Sequence, residues 1–243
     1  MITFLFLFFS FVNFFSLPAS ASPGKVSVIS HELWNDLLKQ CVTSDGRVNY
    51  KALLNEKGKL QSYLETVSNT PPQQNWERNE VMAYWINAYN AYTVKLILDH
   101  YPVKSIRDID NGHPWDETFI EIDGKRFSLN SIENDMLRKK FNDPRIHFAI
   151  NCASKSCPKL INEAFTSNKL DNQLNSAAKN FVNDPSKNRI QAENILLSEI
   201  FDWYKEDFSQ NGTILDFLNQ YSSVKIQPTA NISFLNYDWS LNE

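Results

Sequence analysis

The longest helical pattern in the chain, Glu77–Tyr101, constrains the fold more than any other segment. Trp85, Tyr89 and Tyr92 are spaced to fall on one stripe of this helix. Pro102 follows directly and ends the pattern, because proline cannot continue a helix. An apolar stripe of this length needs a surface to cover it, so we expect this helix to pack on the sheet that the shorter elements form.

Shorter helices and strands flank this helix along the chain. Phe119–Leu129 predicts a β-hairpin, because its Asp123-Gly124 pair is typical of two-residue hairpin turns. A short apolar strand is predicted over Ile146–Ile150, and we expect it to share one sheet with the hairpin. Further short strands are predicted within Arg189–Ser198 and over Ile232–Leu241.

Six more segments carry helical patterns: His31–Cys41, Lys57–Val67, a helix capped by Asn130 or Ser131 and ending at Phe141, Thr166–Val182, Ser198–Phe208, and Gly212–Tyr221. Helices thus outnumber strands, and the strand pairs are hairpins. The expected fold class is therefore α+β, with helices packed on a small, mainly antiparallel sheet. Trp203, Tyr204 and Trp239 are expected in its core.

The N-terminus predicts export. Residues 2–17 are almost wholly apolar and uncharged, and Ala19-Ser20-Ala21 has small residues at the positions of a cleavage site. No Lys or Arg precedes the run, but the run is short for a membrane span of about 20 residues. We therefore predict a signal peptide over residues 1–21, cut after Ala21, and a secreted or periplasmic single domain over residues 22–243, with no membrane span after cleavage.

Composition excludes several classes of function. The net charge is −4 and no basic run or stripe is present, so nucleic acid is not an expected partner. The chain has 6 glycines, and neither G-x-G-x-x-G nor G-x-x-x-x-G-K-[ST] occurs in it. These patterns are the ones that cradle phosphates, so no nucleotide or other cofactor is expected.

Reactive side chains concentrate in one segment, Arg145–Pro158. It holds one of the four histidines, His147, and two of the three cysteines, Cys152 and Cys157. An imidazole can deprotonate a thiol, and the thiolate is a strong nucleophile. Residues five apart on one strand face opposite sides, so His147 and Cys152 can meet only if the chain bends after Asn151, unless His147 faces Cys157 instead. We expect Cys152 to be the nucleophile, because it directly ends the predicted strand.

A nucleophilic cysteine also needs a group that orients the histidine and donors for an oxyanion. Glu133, or an amide such as that of Asn87, could orient His147. The backbone N–H groups of residues 153–156 and the charge of Lys155 could stabilise the oxyanion. We expect Asn151 and Lys155 to contact the substrate.

Asn87 and Asn90 lie three apart on one face of the long helix. A buried amide without a partner costs about 1–3 kcal/mol, so both amides should be used. Two roles are open for them. They either line the site and orient a substrate or the imidazole, or they tie the backbone of a loop to the helix.

The cysteines also permit a structural role. An exported protein meets an oxidising compartment, and Cys152 and Cys157 are close enough in the chain to close a short disulfide. The spacing of His147, Cys152 and Cys157 fits no common zinc pattern, so no metal is expected.

Several motifs in order along the chain resemble the DUF547 family in its exported bacterial form, over roughly Asp45 to Asn242: Trp85–Ala91, Tyr101-Pro102-Val103, Ile132-Glu133 with Leu137-Arg138, Asp143–Ser154 with Ser156–Pro158, Phe201–Phe208 and Tyr237–Asn242. The resemblance implies a papain- or transglutaminase-like thiol-hydrolase fold. Many relatives have histidine where this chain has Asn134, so a catalytic base at that position would be missing here. Plant relatives can carry other residues at His147, Cys152 and Cys157, which implies that the fold need not be catalytic.

We therefore predict a cysteine-dependent hydrolase or acyltransferase that acts on amide or thioester bonds of a peptide or small-molecule substrate in the cell envelope. The alternative is a non-catalytic exported domain that binds peptides or proteins and has a structural Cys152–Cys157 disulfide. The predicted catalytic residues are Cys152, His147, Glu133 and Cys157, and the predicted substrate-binding residues are Asn87, Asn90, Asn151 and Lys155.

Overall fold

The computed structural model describes residues 29–243. The predicted signal peptide and its cleavage site lie outside these residues. The first half of the described chain is helical: α1 (Glu32–Cys41), α2 (Tyr50–Asn55), α3 (Lys57–Asn69) and α4 (Arg78–His100). No helix within residues 29–243 combines the length and the apolar character that a membrane crossing needs.

Helix α4 is the centre of the larger hydrophobic cluster. Sixteen of its 23 residues are buried, and they lie on all sides of the helix rather than on one stripe. A helix buried on all sides is a core helix, covered by several elements at once. Glu77 and Glu80 form a capping box at its start, so Glu80 has a structural partner and is not a free surface charge.

The hairpin predicted at Asp123-Gly124 is confirmed. Strands β1 (Ile120–Ile122) and β2 (Lys125–Phe127) pair antiparallel, and the two turn residues have positive φ angles of 53° and 69°. A type I′ turn requires positive φ at both positions, which Asp-Gly tolerates well. The hairpin forms a sheet of its own.

A single helical segment follows the hairpin and changes its winding on the way. It begins as α5 (Leu129–Ser131), continues as a π-helix over Ile132–Arg138, and ends as α6 (Lys139–Phe141). Its cap is the side chain of Ser128, which accepts a hydrogen bond from the Ser131 backbone, rather than Asn130 or Ser131 as predicted. π-helical turns often occur at functional sites, and this one carries Glu133.

The strand predicted over Ile146–Ile150 is wrong. Pro144–Phe148 form a 3₁₀ helix, and the Asp143 side chain caps it by accepting a hydrogen bond from the Arg145 backbone. Proline suits the first turn of a helix, where its missing N–H would have no partner. The segment therefore joins no sheet with the hairpin, although α4 does hold it through Asn90.

The second half contains α7 (Leu170–Val182), β3 (Arg189–Ile190), β4 (Asn194–Ser198), α8 (Ile200–Trp203), α9 (Lys205–Phe208), α10 (Ile214–Tyr221) and β5 (Asn231–Leu235). Strands β3 and β4 pair antiparallel, as the hairpin-like pattern predicted, whereas β4 and β5 pair parallel. The α+β class is confirmed, with two small sheets in place of the single sheet expected.

The predicted terminal strand ends early, at Leu235, and the chain beyond it packs against the cysteine loop. Ser154 forms a bridge with Leu241, and the Asn242 backbone donates to the Ala153 carbonyl. A second hydrophobic cluster, rich in phenylalanine, packs around Phe148 under this half of the chain. The cavity described next is lined from both clusters.

Candidate active site

One cavity of about 230 Å³ brings together the four residues predicted to be catalytic. Cys152, Cys157, His147 and Glu133 all line it, although they come from three different local structures: a loop, a 3₁₀ helix and a π-helix. The other lining residues are mostly aromatic or apolar: Tyr89, Trp115, Asn130, Ile150, Pro158, Ile200, Trp203, Tyr204, Tyr237 and Trp239.

Cys152 follows the 3₁₀ helix at a sharp reversal of the chain. Ala153 has a φ of 58°, a left-handed conformation that costs a non-glycine residue about 1–2 kcal/mol. The Asn151 side chain and the Asn242 backbone hold this reversal through the N–H and the carbonyl of Ala153. Such strain persists only where the surroundings impose it, and here it places the thiol on the cavity.

The residue Cys152 is partly exposed, and its sulfur lies beside two hydroxyl groups. The sulfur is 3.2 Å from Ser154 Oγ and 3.3 Å from the Tyr237 hydroxyl. Burial alone would raise the pKa of this thiol, but hydrogen bonds from Cys157, Ser154 and Tyr237 outweigh burial and lower the pKa to about 7. The lowered pKa favours the thiolate, which is the nucleophilic form of cysteine.

Cys157 has the opposite character. Its side chain is buried, and the Cys152 backbone N–H donates to its sulfur at 2.8 Å. Burial and the neighbouring Cys152 raise the pKa of Cys157 well above the ordinary thiol value. All three cysteines, Cys41 included, are free thiols in this structure. The two cavity thiols are thus unequal, and Cys152 is the more acidic.

His147 is oriented by Asp207, a residue that sequence reasoning missed. His147 Nε2 lies 2.7 Å from Asp207 Oδ2. An ionised carboxylate only accepts, so Nε2 carries the proton and Nδ1 of the neutral ring has a free lone pair. Nδ1 has no hydrogen-bond partner among the described residues. The ring stacks on Tyr204, with centroids 3.9 Å apart, which fixes its plane.

Asp207 is itself held by Arg138. The guanidinium donates from Nε to Oδ2 at 2.7 Å and from Nη2 to Oδ1 at 3.1 Å. Burial opposes ionisation of Asp207, but hydrogen bonds from His147 and Arg138 outweigh it and hold the pKa of the carboxyl well below its usual range. The predicted orienter, Glu133, does not contact His147. The signal for Asp207 was its place in the Phe201–Phe208 motif.

Glu133 lies in the cavity wall with one oxygen unused. The residue is 5% exposed, and its Oε2 accepts a long hydrogen bond of 3.4 Å from the Tyr89 hydroxyl. Its Oε1 has no hydrogen-bond partner among residues 29–243. A hydrogen bond with Glu133 also contributes to raising the pKa of Tyr204, so the protein donors near this buried carboxylate are neutral phenols.

The three asparagines predicted to bind substrate are engaged with backbone instead and do not line the cavity. Asn87 exchanges hydrogen bonds with the backbone of Phe165, and Asn90 joins the Ala149 carbonyl to the Asn151 N–H. The Asn151 amide donates to the Pro158 carbonyl. Asn90 thus ties the segment before Cys152 to α4, and Asn87 ties the Phe165 segment to it, which is the second of the two roles open for these residues. Asn151 closes the reactive loop on itself.

The backbone N–H groups expected to stabilise an oxyanion already donate hydrogen bonds within the protein. Within residues 153–156, the Lys155 and Ser156 N–H groups donate to the carbonyls of Ser240 and Asp238. The Ser154 N–H donates a hydrogen bond to the Cys152 sulfur and contributes to lowering its pKa. Lys155 faces a separate groove with Lys159 and Lys187 rather than the cavity. The hydroxyls of Tyr237 and Ser154 are the side-chain donors beside the thiol.

Aromatic residues expected in the core form much of the cavity wall. Trp203 is 43% exposed, and its ring stacks on that of Trp239 at 5.7 Å. Tyr237 packs against both rings, at 4.8 Å from Trp203 and 4.5 Å from Trp239. The clue in the sequence was that these residues belong to the two C-terminal motifs of the family resemblance.

Comparison with known proteins identifies a family but no function. The family model described as a protein of unknown function, DUF547, matches residues 73–182. The matched range contains Glu133, His147, Cys152 and Cys157, and it ends before Asp207 and Tyr237. No curated protein and no solved structure matches the chain.

Proposed function

Because this chain belongs to the DUF547 family, whose description assigns no activity, we propose from its site that the protein is a cysteine-dependent hydrolase or acyltransferase acting on amide or thioester bonds in the cell envelope. One observation carries the proposal. A thiol with a pKa of about 7 lines the same cavity as an imidazole whose far nitrogen is held by a carboxylate. Nucleophile, base and orienter are the parts that acyl transfer requires.

In the acylation step, the Cys152 thiolate attacks the carbonyl carbon of the substrate and forms a C–S bond. The proton of the thiol goes to His147 Nδ1, and Asp207 stabilises the resulting imidazolium. The carbonyl oxygen becomes an oxyanion, for which the Tyr237 hydroxyl is the donor. Burial raises the pKa of Tyr237 well above 10, so this hydroxyl keeps its proton.

The tetrahedral intermediate then collapses, the C–N or C–S bond of the substrate breaks, and the leaving group takes the proton from His147. A thioester between the acyl group and Cys152 remains. Water attacks this thioester in a hydrolase, and a second amine or thiol attacks it in an acyltransferase. In both cases His147 accepts the proton of the attacking group, and the Cys152 thiolate is released.

No hydrogen bond links His147 to Cys152 within residues 29–243. The thiol contacts Ser154 and Tyr237, whereas His147 Nδ1 has no hydrogen-bond partner there. Catalytic hydrogen bonds are often long or absent without substrate and form in the substrate complex. The proposal therefore places the His147–Cys152 contact in the substrate complex. That the fold resembles papain or transglutaminases is a separate prediction.

Thiol labelling of the reduced native protein tests the proposal. Iodoacetamide should modify Cys152 first, as peptide mapping by mass spectrometry would locate, while buried Cys41 stays unmodified and serves as an internal control for unfolding. Cys152→Ser should abolish the fast labelling and leave the melting temperature nearly unchanged, and Cys157→Ser should have a milder effect. His147→Ala should slow labelling near neutral pH but not well above the thiol pKa.

Incubation with an activated thioester then tests whether Cys152 accepts an acyl group. A stable acyl adduct on Cys152, seen as a mass increase that Cys152→Ser lacks, would support acyl transfer. If Cys152 reacts no faster than a free cysteine in unfolded protein, and His147→Ala changes only stability, the hydrolase proposal is wrong.

The second candidate is a non-catalytic binding domain with a Cys152–Cys157 disulfide. The observation that favours it is the 2.8 Å contact between the Cys152 backbone N–H and the Cys157 sulfur, which keeps the two thiols together. Counting free thiols in protein recovered from an oxidising compartment separates the two. Three free thiols favour the enzyme, and one free thiol with a closed Cys152–Cys157 bridge favours the binding domain.

A further inference from the structure

We propose that Glu133 anchors a subsite for a primary ammonium group, and that the substrate carries this cation beside the bond that Cys152 attacks. The position of the scissile bond rests on the proposed function. Recognition of the ammonium group rests on the cavity alone and stands without catalysis.

The first observation is the carboxylate itself. Glu133 is buried, lines the cavity, and leaves Oε1 without a partner in the described part of the chain. Its hydrogen bond from the Tyr89 hydroxyl is long at 3.4 Å, and a hydrogen bond with Glu133 also contributes to raising the pKa of Tyr204. A buried carboxylate whose protein donors are neutral phenols is stabilised further by a donor of opposite charge.

The second observation is that no Lys or Arg within residues 29–243 forms a salt bridge with Glu133. The charge of Arg138 does act on Glu133, but Arg138 directs three of its nitrogens at Asp207 and Asn134 and lies over the Tyr204 ring. No Lys or Arg is among the residues that line the cavity, and Glu133 is the only carboxylate among them. The electrostatic field of the cavity therefore favours a cation and disfavours an anion.

The third observation is the aromatic wall. Trp203, Tyr237 and Trp239 form one group of mutually packed rings, and Tyr89, Trp115 and Tyr204 also line the cavity. Aromatic faces attract cations and cover the aliphatic part of a ligand. One face of Trp239 is already taken by Arg107, at 5.3 Å, so Trp203 and Tyr237 are the rings available to the ligand.

These three features together specify the substrate class. Oε1 accepts a hydrogen bond, so a primary ammonium fits better than a quaternary one, which has no N–H to donate. A cavity of about 230 Å³ holds one small group rather than a long chain. The substrate is therefore a small amide or thioester, or the end of a peptide, with an amino group close to the reacting carbonyl.

Charge-matched thiol reagents test the inference. Aminoethyl, trimethylammonioethyl and sulfonatoethyl methanethiosulfonates all form a mixed disulfide with the Cys152 thiolate and release methanesulfinate. Their rates on Cys152, each divided by the rate on free glutathione, should fall in that order. The ratio of the aminoethyl to the sulfonatoethyl rate should drop about tenfold in Glu133→Gln, because a close desolvated charge pair is lost.

Two further variants separate charge from structure. Glu133→Asp keeps the charge and should retain most of the preference, and Glu65→Gln, an exposed change on α3, should keep the wild-type ratio. The thiolate itself attracts cations in every variant, so the change between variants is the informative quantity. An unchanged ratio in Glu133→Gln overturns the inference.

A binding measurement in Cys152→Ala removes the dependence on thiol chemistry. L-leucinamide should quench the tryptophan fluorescence of Cys152→Ala protein, and uncharged N-acetyl-leucinamide should not. Adding Glu133→Gln should abolish the difference. Loss of thiol reactivity with leucinamide binding intact refutes the proposed function but not the ammonium subsite, and reactive Cys152 without charge preference refutes only the subsite.

Discussion

His147 Nε2 lies 2.7 Å from Asp207 Oδ2, a contact between residues sixty positions apart in the chain. Because Arg138 donates to both oxygens of the same carboxylate and fixes its position, the imidazole is fixed both in orientation and in tautomer. The free Nδ1 is a consequence of this arrangement. Reactivity of the cavity thiol should therefore depend on a carboxylate that does not itself line the cavity.

Asp207→Asn should slow iodoacetamide labelling of Cys152 near pH 7 about tenfold or more, because an amide neither fixes the tautomer nor stabilises the imidazolium. At pH 10 the rate should approach that of the wild type, since the thiolate forms without a base. Asp202→Asn is the matched control, an exposed aspartate five positions earlier. Equal rates for the two variants at pH 7 would contradict the role of Asp207.

Asp207 should also contribute to the pH dependence of stability. Its pKa is held below the usual range in the folded protein, so it stabilises the fold above pH 4 and this contribution is lost as the pH falls further. The difference in free energy of unfolding between wild type and Asp207→Asn should therefore shrink from pH 5 to pH 3. Urea unfolding at several pH values measures it, and a difference independent of pH would contradict this expectation.

The rate of Cys152 labelling should follow a pKa of about 7, falling tenfold for each pH unit below it and levelling off above it. Tyr237→Phe removes a hydrogen bond to the sulfur, so it should raise this pKa and slow labelling at pH 6 to 7 but not at pH 9.5. Tyr101→Phe, whose hydroxyl bonds Glu243 away from the cavity, should leave the profile unchanged. A Tyr237→Phe profile identical to the wild type would exclude this contact as a cause of the shift.

Asn90→Ala should destabilise the protein, because it leaves the Ala149 carbonyl and the Asn151 N–H without partners. Each buried group left unpaired costs about 1–3 kcal/mol. Chemical denaturation measures the loss, and Asn172→Ala on the exposed face of α7 should change stability far less. A destabilisation no greater than that of Asn172→Ala would show that the amide does not hold the loop.

If the protein is exported, its mature N-terminus should be at or near Ser22, because Ala19-Ser20-Ala21 has the small residues that signal-peptide cleavage requires. Mass spectrometry of protein recovered from the cell envelope would identify it. An intact Met1 terminus in the membrane fraction would instead indicate an uncleaved anchor.

The sequence alone determined the elements whose causes are local. The α4 pattern and the Pro102 stop depend on residues within a few positions of each other, and the Asp123-Gly124 turn depends on two adjacent φ angles. The grouping of His147 with Cys152 and Cys157 was also visible, because these residues are neighbours in the chain. Local patterns could not decide Ile146–Ile150, since a short apolar run fits a strand and a buried helical turn equally well.

The tertiary structure decided which groups are free to react. Asp207 replaced Glu133 as the partner of His147, and residues 238–242 took the backbone N–H groups expected to bind an oxyanion. Those contacts join residues 60 to 85 positions apart, which no periodicity or spacing encodes. Each hydrogen-bonding group has a limited number of partners. Only the packing of distant segments therefore determines that Cys152, His147 and Glu133 line one cavity, and that His147 Nδ1 and Glu133 Oε1 have no hydrogen-bond partner within residues 29–243.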